Sequence, residues 1–165
     1  RPPRSTLFPY TTLFRSRRSS AAWRCSARSA QAAADGTWFG GRARSLALQR
    51  HGDARGTLLP VEFAQLPFVP RRLFTVSGMA AGTERGGHAH REGQQFLICL
   101  QGQVALLLRY GDEEVRFDLR TDGPGLLIGP RVWGQQTYQM EGTVLPVLAS
   151  EPYDPRSYVE DWQET

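Results

Sequence analysis

With 165 residues, 40% of them hydrophobic, the chain has material for one domain around one core and too little for two. A formal charge of +4 would ordinarily admit a polyanionic partner, but the charge sits at one end. Residues 1–45 hold nine arginines against one acid, Asp35, a net of +8, whereas residues 46–165 carry −4. An acidic domain behind a basic tail excludes nucleic acid as the expected partner of the folded part. No apolar run reaches the roughly 18–20 residues of a membrane-spanning helix, so no membrane association is expected either.

From the N-terminus, TLFPYTTLFRS at residues 6–16 resembles a sequencing-library adapter translated in one frame. The next segment, RRSSAAWRCSARSAQAAAD, has the Arg, Ser and Ala content of a transit peptide. Beside the adapter-like stretch, however, it reads as ragged upstream sequence. Residues 1–45 are therefore expected to be a non-native or disordered extension, and residues 46–165 the single domain. Cys25 and Cys99 are the only cysteines, which leaves no disulfide framework and no metal-type spacing. A soluble protein in the reducing cytoplasm is expected.

From about Ser45 onward, short apolar or alternating runs are separated by Gly, Pro and Asp. The runs are GTLLPVEF, RRLFTVSG, QQFLICL, QVALLLRY, EEVRFDL, GLLIGP and GTVLPVLAS. Strands at this spacing predict an all-β sandwich or barrel of antiparallel strands. The runs flanking Gly102 and Gly111 predict hairpins. Near the C-terminus, Asp154 followed by Pro155 has the form of an N-cap and first helical position, predicting a short C-terminal helix through Tyr158 and Trp162.

Two of the three histidines lie in RGGHAHREGQQ, as His88 and His90. A spacing of two on a strand puts both imidazoles on one face. Gly86 and Gly87 allow unusual backbone geometry before them, and Arg85 offers a planar cation for an anionic ligand. Such a set suits proton transfer near neutral pH beside an anion, with a solvated or structural histidine pair as the bland alternative. The frame from Gly82 to Gly102 also follows the first motif of metal-binding cupins, but Gln95 stands where that motif has a carboxylate. The region of a second motif reads GPRVWGQQTYQ, without a further His. Two ligands fall short of a catalytic metal centre, so no metal and no cofactor is expected.

From about Asp53 to Trp162 the chain resembles the WxcM-like sugar 3,4-ketoisomerases, cupins acting on a TDP-linked 4-keto-6-deoxyhexose. The resemblance rests on DARGTLLPVEF, RRLFTV, RGGHAHREGQQFLICLQGQV, GPRVW and VLASEPYDPRSYVEDW, in that order. It implies a cupin jelly roll, a homodimer, and metal-independent tautomerisation through an enediol in deoxysugar biosynthesis. His88 is then the candidate base at C3 and His90 the candidate acid or shuttle. Arg85, Gln95, Trp133 and Tyr138 are candidate substrate contacts, with Tyr138 offering a hydroxyl where pocket groups differ. Two departures bear on activity: Phe74 and Thr75 replace the tyrosines usual in the family, and Gly134 and Gln135 replace a His or charged group after the Trp. The LASEPYDP block reads as structural, with Tyr153 and Asp154 tying the last strand to the terminal helix. A cupin that binds a sugar nucleotide or other anionic metabolite without turnover is the alternative, and a metal-dependent cupin is a third possibility.

Overall fold

The computed structural model describes residues 36–164. The adapter-like stretch, the transit-like segment and Cys25 lie outside the described residues. In chain order the strands are β1 (Thr37–Trp38), β2 (Ala43–Leu46), β3 (His51–Asp53), β4 (Gly56–Leu58), β5 (Arg72–Val76), β6 (Glu84–His90) and β7 (Gln95–Leu97). They continue with β8 (Gln103–Tyr110), β9 (Glu113–Arg120), β10 (Gly125–Ile128), β11 (Trp133–Tyr138), β12 (Leu145–Ala149) and β13 (Tyr158–Val159). Two antiparallel sheets face each other, in the orders β1-β2-β10-β7-β12-β5 and β13-β6-β11-β8-β9, with β3-β4 as a separate hairpin. This is the all-β jelly-roll sandwich expected from the sequence.

Side-chain alternation builds the core. On β8, Val104, Leu106 and Leu108 turn inward, where they meet Leu97, Leu126, Leu145 and Val147 from the opposite sheet. The continuous run at 96–99 is apolar throughout because its sheet is covered on both faces. Leu97 and Cys99 enter the main core, while Phe96 and Ile98 pack outward beneath Leu46, Leu48, Leu59, Val61, Leu66 and Phe68. GTLLPVEF accordingly forms a strand only at Gly56–Leu58, and its remainder serves as this outer cover.

Three expectations need correction. The boundary between residues 45 and 46 falls inside β2, and both Phe39 and Ala43 are buried in the core. A composition dominated by Arg and Gly hid two short strands joined by a turn in which Gly40 and Gly41 have positive φ. The hairpin expected at Gly102 does not form, since β7 pairs with β10 and β12 whereas β8 pairs with β9 and β11. Gly102 instead turns the chain from one sheet to the other, at φ +84°, where a Cβ would stand 2.3 Å from Thr143 Oγ1. The hairpin at Gly111 does form, with Tyr110 opposite Glu113. Finally, the helix expected after Asp154 is a single 3-10 turn, Pro155–Ser157. Asp154 caps it by accepting from the Arg156 backbone N–H, but pairing with β6 draws Tyr158 and Val159 into β13, and a second 3-10 turn follows at Trp162–Glu164.

Candidate active site

The histidine strand β6 lies between β11 and β13, and a bulge shapes it. His88 pairs with Gly134 and Gly86 with Gln135, so Gly87 has no partner across the pair. Both glycines have positive φ, +81° and +76°. The extra residue changes which face the neighbouring side chains occupy. Arg85 lies opposite Gln136 and His88 opposite Gly134, positions two apart on β11, so Arg85 shares a face with His88 despite an odd spacing. Close approach of the strands makes the bulge specific to glycine: a Cβ on Gly86 would stand 2.6 Å from the Gly134 carbonyl oxygen.

His88 and His90 both face the interior, with ring centroids 5.2 Å apart and planes nearly perpendicular. Tyr158, opposite His90 in the β13–β6 register, completes a three-ring cluster. Its ring centroid is 4.5 Å from that of His88 and 4.9 Å from that of His90. Gln95 Nε2 lies 2.8 Å from His90 Nε2, and in this orientation the amide donates and the imidazole carries its proton on Nδ1. Ser157 Oγ is 3.5 Å from that Nδ1, a long contact.

Burial lowers the pKa of both histidines. For His90 desolvation acts first, neighbouring His88 and Arg72 add to it, and the value falls to about 4. For His88 burial again lowers the pKa, opposed by a hydrogen bond to the Gly86 backbone and by the charge of Glu160. Both imidazoles are thus neutral near pH 7, the form that can accept a proton.

A cleft of about 780 Å³ opens over His90 and Gln95, walled by Arg72, Tyr153, Asp154 and Tyr158. The Arg72 guanidinium lies over the rings of Phe74 and Tyr153, 4.6 and 5.0 Å from their centroids. A small inner cavity of about 30 Å³ continues between His88, His90, Gln95, Leu106 and Gln136. Among the described residues no three His, Cys, Asp or Glu side chains cluster as metal ligands. Two imidazoles and a neutral amide already bonded to one of them do not fit a catalytic metal site.

The structure therefore brings His88, His90 and Gln95 together, while the other candidates lie elsewhere. Trp133 pairs with Arg109 on the outward face of its sheet, because its neighbour Gly134 pairs with inward-facing Leu108. It is 7% exposed, packs on Ala89 and Val159, and donates Nε1–H to the Glu160 carbonyl at 3.1 Å. Tyr138 is fully buried in the core and lines neither the cleft nor the inner cavity. Arg85 is exposed, with Nε 3.1 Å from Met79 Sδ, and lines neither the cleft nor the inner cavity. Sequence reasoning missed Arg72, Tyr153 and Tyr158. Tyr153 belongs to the block read as purely structural, and Tyr158 was assigned to a helix. The usable signal for Tyr158 was the Tyr-Val pair, which favours a strand over a helix.

A sequence profile of the family described as FdtA: WxcM-like, C-terminal matches residues 42–165. The TDP-4-oxo-6-deoxy-alpha-D-glucose-3,4-oxoisomerase of Aneurinibacillus thermoaerophilus is 32% identical over 111 residues, covering 67% of this chain and 80% of that protein. Among solved structures, QdtA, a sugar 3,4-ketoisomerase from Thermoanaerobacterium thermosaccharolyticum in complex with TDP, superposes with TM-score 0.70 at 34% identity. That match covers 74% of this chain and 93% of QdtA. The rmlC epimerase of Mycobacterium tuberculosis shares the fold, with TM-score 0.65 at 15% identity over 75% of this chain and 70% of the epimerase. With its sandwich, its histidine strand and these matches in agreement, the chain belongs to the FdtA, WxcM-like C-terminal family.

Proposed function

We propose that the protein is an isomerase that moves the carbonyl of a TDP-linked 4-keto-6-deoxyhexose from C4 to C3 by metal-independent acid–base chemistry. The observation that carries this reading is the pair of neutral, partly buried imidazoles, His90 lining the cleft walled in part by Arg72 and His88 lining the inner cavity beside it. The named activities of the relatives give it a substrate class.

His88 removes the C3 proton, and the electron pair of that C–H bond becomes the C3=C4 double bond while the carbonyl π pair moves onto the C4 oxygen. The C3 hydroxyl proton passes to the C4 oxygen, and as the C3–O⁻ pair closes to a carbonyl the C3=C4 pair takes up a proton at C4, which leaves a ketone at C3 and a hydroxyl at C4. His90, held by Gln95, relays protons at C4. Arg72 and Tyr153 present a cation and an aromatic face to the nucleotide end of the substrate. Incubating the protein with TDP-4-keto-6-deoxyglucose in the presence of a chelator is expected to yield the 3-keto isomer. Absence of product from folded protein would leave the reading without support and turn attention to a cupin that only binds its ligand.

The histidine environment sets a pH dependence. A base works when neutral, and burial lowers the pKa of both rings from the ordinary 6.5. The acid limb of kcat/KM is therefore expected below pH 6.5, and a limb at or above that value contradicts the assignment. Stability follows the same sign. Below 6.5 the unfolded chain binds protons that the folded imidazoles resist, so stability present above 6.5 is lost as pH falls through about 4, the value for His90.

The folded unit, in this reading, takes in residues before 46, since β1 and β2 are part of the sheet. A homodimer fits the apolar edge at β5, where Leu73 is 64% exposed and Val69, just before it, 81% exposed. Light scattering on the purified full chain is expected to give twice the monomer mass, and a monomer at all concentrations rules the dimer out. No helix among the described residues is long and apolar enough to cross a membrane. A nucleotide-linked substrate and the free, buried thiol of Cys99 support a cytoplasmic location, which fractionation of its host would check.

A further inference from the structure

Tyr138 and Gln136 stand two residues apart on β11, and the phenol donates to Gln136 Oε1 at 2.9 Å. Nothing in the mechanism above uses this pair. Tyr138 is fully buried with its ring in the core, and burial raises its pKa to about 12, so the hydroxyl keeps its proton at any working pH. Gln136 lines the inner cavity together with His88, His90 and Gln95. Because its oxygen accepts from Tyr138, its NH₂ is the end left to face that cavity. The cavity's other amide nitrogen, that of Gln95, is already committed to His90.

We propose that Gln136, its amide orientation fixed by Tyr138, donates the hydrogen bond that stabilises the enediolate oxygen formed when the C3 proton is removed. The proposal rests on the isomerase reading and names a residue that the sequence did not single out. Negative charge arrives on the former C4 carbonyl oxygen as the C3=C4 bond forms, and an amide N–H stabilises such charge without surrendering its own proton. A donor fixed in advance, in a small cavity with little room for water, needs no reorganisation as the charge develops. Tyr138 acts through Gln136 and is a positioning residue. The hydroxyl that the sequence suggested as a substrate contact therefore serves the site at one remove.

The test compares Gln136→Leu and Tyr138→Phe, singly and combined, in the full chain. Gln136→Leu is expected to lower kcat by about 10²-fold, as loss of one oxyanion donor does, with KM changed far less. Tyr138→Phe keeps the ring, frees the amide, and is expected to lower kcat by about tenfold at nearly unchanged Tm. Added to Gln136→Leu, it should cost almost nothing further, because the two act as one unit. Wild-type kcat in folded Gln136→Leu, or additive losses in the double variant, would overturn the inference. If Gln136→Leu does not fold, Tyr138→Phe decides alone, and an unchanged kcat there overturns it. Exchange of the C3 proton by wild-type protein in deuterated buffer separates the two levels. Its absence removes the isomerase reading itself, whereas its presence beside an unaffected Gln136→Leu removes only the role of Gln136.

Discussion

His88→Asn is expected to leave the fold intact and lower turnover by about 10²- to 10⁴-fold, the usual worth of a general base. Asparagine is smaller than histidine and retains an N–H able to bond the Gly86 backbone, so the bulge loses little support. What disappears is the basic ring nitrogen. The Tyr158 ring, 4.5 Å away, loses one aromatic neighbour but keeps His90 at 4.9 Å. A structural histidine would give the opposite pattern, a lowered Tm with turnover per folded molecule preserved. Thermal melts beside steady-state kinetics distinguish the two.

Gly86→Ala is the substitution expected to cost most in stability. The new Cβ would sit 2.6 Å from the Gly134 carbonyl oxygen, a backbone atom that cannot swing aside, and the residue would have to hold φ at +81°. The left-handed conformation costs about 1–2 kcal/mol for a non-glycine residue. Forcing the strands apart adds roughly 1–3 kcal/mol, as overpacking does elsewhere. Relief of the clash moves β6 away from β11, and the bulge is what sets the face on which Arg85 stands relative to His88. Denaturant unfolding should show the stability loss, accompanied by a fall in turnover in whatever fraction folds. A variant as stable and as active as the parent would mean that the bulge does not position the site.

The strand pattern carried most of the fold, because alternating and continuous apolar runs record directly whether one face or both faces of a strand are covered. QVALLLRY alternates over a single core face, and FLIC at 96–99 is apolar throughout because its outer side is covered as well. Strands built from charge and glycine, such as β2 and the glycine-rich part of β6, carry little of this signal. Their place is set by partners far along the chain, such as β10 for β2 and β11 for β6.

At the site, His88, His90 and Gln95 were legible because one strand and the next hold them at short sequence distance. Trp133 and Tyr138 were misplaced for a different reason. Their residue types suit a pocket, but which face of β11 each occupies depends on pairing with β8. That register turns the indole outward, opposite Arg109, and the phenol into the core, opposite Val104. Arg72, Tyr153 and Tyr158 reach the cleft only through tertiary packing. The β13–β6 pairing brings Tyr158 to His90 across 67 intervening residues, and no local motif marks it.

The most direct measurement is proton NMR of TDP-4-keto-6-deoxyglucose with the full chain in deuterated buffer containing chelator, run beside His88→Asn. The account predicts that the C3 proton signal disappears with wild-type protein as a 3-keto species grows in, and that it persists with His88→Asn. A C3 signal that survives folded wild-type protein, or that disappears equally fast with His88→Asn, would contradict the assignment of proton abstraction to the buried histidine pair.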